Sequence, residues 1–202
     1  MSETEPIETQ TTPNKSMKDK LHLQNTNAII WTLLAVLFGA VLYMGAEVIP
    51  MPFLAVGFFT LGFAPALALV AAVGAVRGPL AGFLVGYFGE QLASIYLSGG
   101  IVAFSLYGVA FGVLGLIAGL PSYDFTSGRS LAKLSILSAI GLVFAALITT
   151  VVGLFVEQVA VLVAIGLQLL PLLTIGLPTV MLLTPLFARF WYILKEHVPF
   201  PW

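Results

Sequence analysis

Charge is the scarcest property of this sequence. Only 17 of its 202 residues are ionic, 8% of the chain, where a soluble domain carries roughly a quarter. Seven of those ions (Glu3, Glu5, Glu8, Lys15, Lys18, Asp19, Lys20) precede Ala28, which leaves ten for the last 175 residues. So few ions cannot clothe a water-facing surface, and the body of the chain is expected to face lipid. The same shortage excludes a nucleic-acid binder, which needs a basic face that a net charge of -1 does not supply. Cysteine is absent, so disulfides, thiolate zinc sites and cysteine nucleophiles are ruled out. The two histidines, His22 and His197, lie outside the apolar runs, and neither a metal site nor a cofactor is expected.

Hydrophobic residues are abundant, at 59%. Residues 1–27 stand apart: polar, rich in Thr, Glu and Lys, without an apolar run or a small-residue cleavage site, they read as a disordered cytoplasmic tail rather than a signal peptide. Met17, followed by Lys18, Asp19 and Lys20, offers an alternative start. From Ala28 onward, apolar runs are cut by Gly, Pro and polar clusters into lengths near the roughly 20 residues a helix needs to cross the hydrocarbon. The expectation is an all-α membrane protein, a bundle of six crossings at about 28–46, 54–75, 79–97, 101–119, 131–155 and 171–194. The transmembrane domain is thus 28–194, and 195–202 forms a short cytoplasmic tail. The stretch Val159 to Leu170 is apolar but too short to span, and suits a re-entrant or surface segment leading into Pro171. Pro171, Pro178 and Pro185, seven residues apart, fall on nearly one face of the last helix, where they would bend it or free carbonyls.

Positive charge sets the orientation. With the N-terminus inside, Lys15, Lys18, Lys20, Arg77, Arg129, Lys133, Arg189 and Lys195 all fall on the inner side. A seventh crossing would send the last two outside. The expected location is therefore the cell membrane, multi-pass, with both termini cytoplasmic. Trp31, Trp191 and Tyr192 would form an inner aromatic belt, and Tyr43 and Tyr96 an outer one. Small residues at four-residue spacing (Gly78, Gly82, Gly86; Ala64, Ala68, Ala72; Gly108, Gly112; Gly115, Gly119) let backbones approach within the bundle.

Ionisable groups inside apolar spans are costly and mark sites. In this orientation Glu47, Glu90 and Glu157 lie on the outer side, accompanied by Gln91, Gln158, Gln168, Ser94, Ser98, Ser105 and Tyr107, while the inner halves hold little beyond Tyr87, Ser135, Ser138 and Thr184. The asymmetry implies a pocket open outward and closed below by glycine-rich packing, with groups that would hold a small polar heterocycle. Glu90, with no cation near it in sequence, is its foremost candidate; Glu47, Gln91, Tyr107, Glu157 and Gln158 complete the set. Neither HExxH nor GxSxG occurs, so no enzyme is expected. A pore or purely structural bundle would explain the glycines but not the one-sided polarity.

The run RGPLAGFLVGYFGEQL, Arg77 to Leu92, resembles the second-to-third-helix segment of the substrate-binding S components of energy-coupling factor (ECF) vitamin transporters, which often read GPxxGxxxGxxGDxL. Gly78, Pro79, Gly82, Gly86, Gly89 and Leu92 match, and Glu90 stands where the aspartate is common. LAVLFGAVLYMG, Leu34 to Gly45, is also similar to the first helix of S components linked to thiamine precursors. The resemblance implies capture of a vitamin or its precursor from outside, docking on a transmembrane coupling subunit driven by two cytoplasmic ATPases, and release inside. It also implies a docking face of small residues on the first helix, for which Ala35 and Gly39 are the nearest counterpart to the usual AxxxA. No Walker A sequence occurs, so ATP hydrolysis would belong to the partners.

Overall fold

The computed structural model describes residues 26–48, 54–56, 59–61, 65–99 and 104–197. The polar tail up to residue 25, the end of the chain from 198, and the expected helical residues 101–103 lie outside the described residues. What is described is a helical bundle with one small hairpin. Helix α1 spans Thr26–Val48; strands β1 (Leu54–Val56) and β2 (Phe59–Leu61) follow, then α2 (Pro65–Arg77), α3 (Pro79–Ser98), α4 (Leu106–Gly119) and α5 (Gly128–Phe155). The final helix opens as α6 (Val161–Val163), passes through π-helical turns at Ala164–Leu169 and Leu172–Gly176, and closes as α7 (Leu177–His197).

Among the described residues three stretches are long and apolar enough to cross a membrane: Thr26–Glu47, Gly128–Phe155 and Val161–Lys195. Their outward faces are apolar as well, with Leu33, Leu37, Phe38, Phe144, Leu147, Leu162 and Leu182 exposed, a surface that only lipid covers at low cost. The chain is a membrane protein by these helices. Helices α2 and α4, of 13 and 14 residues, are about 20 Å long and lie inside the bundle, where much of their surface is buried.

Two expectations need correction. The second crossing does not run over 54–75: residues 54–56 and 59–61 pair as antiparallel strands, Leu54 opposite Leu61 and Val56 opposite Phe59, and the helix begins at Pro65. The sequence reason is visible in Gly57, Gly62 and Pro65. Glycine weakens a helix, and proline is at home in a first turn, where its missing N–H costs nothing. Nor is Val159 to Leu170 a separate segment, because helical structure runs unbroken from Val161 to His197. Pro171 does not end it, since the adjoining turns widen to π geometry; Leu170 donates its N–H to the Ile165 carbonyl five residues back. Farther along, Pro185 leaves the Met181 carbonyl without its intrahelical donor, and the Ser135 hydroxyl of α5 donates to it at 2.7 Å. That bond welds α7 to α5.

Glycine contact organises the centre. A Cβ on Gly82 of α3 would lie 2.5 Å from the Gly115 carbonyl oxygen of α4 and 2.6 Å from the Gly74 Cα of α2; one on Gly86 would lie 2.6 Å from backbone atoms of Phe111 and Gly112. Three backbones thus meet directly, the close approach that replaces hydrophobic driving force in lipid. Around them pack Val70, Val85, Leu114, Leu134, Leu142 and Val180. The turn from α2 to α3 pivots on Gly78 at φ 94°, a conformation costly for any side chain, and Pro79 then starts α3.

Candidate functional site

The helices alternate in direction, so their ends sort into two sets. One end gathers the ends of α1, α3 and α5 with the starts of α2, α4 and α6; the other carries Arg77, Arg129, Lys133, Arg189 and Lys195. Glu47, Glu90 and Glu157 all belong to the first end, where no cation stands among the described residues. The bundle therefore has an acidic end and a basic end.

Glu90 is half-buried near the middle of α3. Its Oε2 accepts from the Tyr43 hydroxyl of α1 at 2.9 Å. Tyr43 is 1% exposed, so it does not belong to an outer aromatic belt as its position suggested. The physical reason lies one residue before Glu90: a Cβ on Gly89 would sit 2.7 Å from the Tyr43 ring, so glycine alone leaves the ring its seat. The ring enters the bundle because it has both a flat surface to lie on and a carboxylate to donate to. Tyr96, at 65% exposed, is free to occupy the lipid interface.

A second polar cluster forms where α4, α5 and the final helix meet. Ser105 caps α4, its hydroxyl accepting from the Gly108 N–H at 2.9 Å, which fixes the first turn and with it Tyr107. The Tyr107 hydroxyl donates to Glu157 Oε2 at 2.8 Å and accepts from Gln168 Nε2 at 3.1 Å. Glu157 follows the end of α5, and Gln158 after it adopts a left-handed φ of 54°, while the Val159 N–H folds back to the Gly153 carbonyl. Glu47 stands one helical turn beyond Tyr43 on α1, and Gly108, next to Tyr107, packs on the Tyr87 carbonyl three residues before Glu90, so the two clusters share one region.

Of the residues singled out from sequence, Glu90, Tyr107 and Glu157 are thus brought into bonded pairs. Gln91 is half-buried beside Glu90, Glu47 and Gln158 are exposed at the same end, and Gln168, named only as an accompanying amide, proves to bridge two elements. Tyr43 and Gly153 carried no signal on their own. For Tyr43 the spacing to Glu47, one helical turn, was the available clue. Tyr87 stands higher than expected: its carbonyl faces Gly108 in the first turn of short α4, and its ring lies 6.0 Å from Phe104 and 5.3 Å from Phe88. Ala35 is half-buried, and Gly39 is buried against Val85, whose Cγ2 a Cβ would meet at 2.8 Å, so the bundle itself uses this glycine.

At the basic end, Asp124 is more than a solvated loop acid. Its Oδ1 accepts from the Thr126 hydroxyl at 2.6 Å and the Thr126 N–H at 3.0 Å, holding the carboxyl below its ordinary range, and its own N–H donates to Ser130.

The strained turn gives a direct prediction. Replacing Gln158 by glycine removes the Cβ penalty of left-handed geometry, on the order of 1 kcal/mol, and should raise the unfolding temperature; a fall would mean that the side chain holds the turn.

Among the described residues no three His, Asp or Glu side chains come together as a metal site would require. Comparison with family models, curated proteins and solved structures gives no match to this chain.

Proposed function

We propose that this protein is a membrane-embedded capture subunit, which takes up a small polar molecule, a vitamin or vitamin precursor, at its acidic end and hands it inward after docking on an ATPase-driven coupling module. One observation carries the reading: in a bundle with ten ions after residue 28, three carboxylates, two tyrosine hydroxyls and a glutamine converge on one end. Beneath them, the contact of Gly74, Gly82 and Gly115 leaves no side-chain space for a continuous channel between α2, α3 and α4, which counts against a pore. The likeness of Arg77 to Leu92 to S components supports the transport role, and the segregation of cations supports cytoplasmic termini. Chemical work falls to the partners in this reading, and the chain is not itself an enzyme.

The test is binding without ATP. Purified protein should show a thermal shift with at least one member of a panel of thiamine, riboflavin, biotin, cobalamin and their precursors, and should copurify with a coupling subunit and ATPases. Silence across the whole panel, together with ion flux in liposomes by the lone protein, would overturn the capture role in favour of a pore.

A further inference from the structure

From Val161 to Gly176 only Ala164 and Gly176 are buried. Leu162 is 84% exposed and Leu167 72%, and the segment packs chiefly on α5. Its backbone is interrupted three times, by the π turn Ala164–Leu169, by Pro171 and by the π turn Leu172–Gly176, each of which breaks the i to i−4 ladder that stiffens a helix. Below Leu177 the turns are α-helical, and the one carbonyl that Pro185 leaves without its intrahelical donor, that of Met181, is taken by Ser135, which welds this part to α5.

What holds the upper segment is specific. The bond from Gln168 Nε2 to Tyr107 ties it to α4, and Tyr107 in turn donates to Glu157. The Gln168 amide oxygen rests on Gly153 of α5, in the space a Cβ there would occupy, and has no hydrogen-bond partner among the described residues. One amide bond on a glycine seat is a tether that thermal motion can break, whereas the outward apolar side chains stay in lipid whether the segment lies down or swings out.

We propose that Val161–Gly176 is a lid, hinged at the Leu172–Gly176 π turn and latched by the chain Gln168, Tyr107 and Glu157. Released, it moves away from α5 and opens the acidic end sideways. The lid goes beyond the capture role and stands without it, because its test uses no ligand.

The absence of cysteine makes that test clean, since introduced cysteines are the only labelling sites. Spin-label pairs would be placed at Leu33→Cys with Leu162→Cys, reporting the lid, and at Leu33→Cys with Leu186→Cys, reporting the helix below the hinge. All three positions are exposed. In lipid nanodiscs, both Gln168→Leu and the milder Tyr107→Phe should add a component displaced by about one helical turn, on the order of 5 Å, to the Leu162 distance, and leave the Leu186 distance unchanged. An unchanged Leu162 distance in both variants would overturn the lid. So would equal broadening of both pairs, which reports general loosening rather than a hinge.

Discussion

Gly115→Ala should cost about 3 kcal/mol and Gly115→Leu should leave no monodisperse protein after extraction. A Cβ at this position would lie 2.5 Å from the Gly82 carbonyl carbon and 2.8 Å from its Cα. Both are backbone atoms. A flexible side chain could rotate away from the intruding methyl; a helix backbone cannot, so α3 and α4 must separate along their length and lose the contact that binds them in lipid. The displacement would also reach α2, because Gly74 packs directly on the carbonyl of Gly115 itself. The control is Gly45→Ala, at a helical glycine with nothing among the described residues within 4 Å of its would-be Cβ, which should be neutral or stabilising by about 0.5–1 kcal/mol. Thermal unfolding in detergent compares the two. If Gly115→Ala unfolds no earlier than Gly45→Ala, the direct backbone contact is wrong.

The second large effect concerns Glu90. With the capture reading, Glu90→Ala should weaken ligand binding at least tenfold, about 1.4 kcal/mol. It should also lower stability, since the buried Tyr43 hydroxyl loses its acceptor, a penalty of about 1–3 kcal/mol. Two effects in one variant would be ambiguous. The double variant Glu90→Ala with Tyr43→Phe separates them: it removes both polar partners, so stability should recover relative to the single change while binding stays lost. Glu90→Gln, which keeps an acceptor for Tyr43, should retain most of the stability. Wild-type affinity in the double variant would show that Glu90 only anchors Tyr43 and that the ligand is held elsewhere.

These two residues also mark how far the sequence could be read. Glycine at four-residue spacing announced that α3 and α4 would pack closely, and the helix expected at 79–97 is found at Pro79–Ser98, because Gly78, Pro79 and Gly99 punctuate it. The convergence of Glu90, Tyr107 and Glu157 on one end followed from counting crossings. What could not be read was rotation. In a soluble helix the polar face shows which way the core lies, but here lipid and core are both apolar, so the pattern is silent about which side of α1 turns inward. That is why the sequence does not show that Tyr43 turns into the bundle, or that Gly39 packs on Val85. The strand pair 54–56 and 59–61 was hidden for a related reason: a run of Leu, Val and Phe suits strand and helix alike, and only Gly57 and Gly62 in the sequence distinguish them. Pro171 concealed the unity of the final helix, since a proline usually ends an ordinary α-helix but can be bridged by a π turn.

The separation of charge between the two ends has a consequence in a living membrane. An ion feels the transmembrane voltage in proportion to how far it travels through the field, about 2.3 kcal/mol per elementary charge for a full passage at 100 mV. A tilt that carried Glu47, Glu90 and Glu157 as anions across the membrane would work with or against at most about 7 kcal/mol at that voltage, Glu90 adding less than the others because it starts near the middle of α3. A cation seated among them would cancel one third of this. The loaded and empty proteins would then differ in how readily the membrane potential lets them turn.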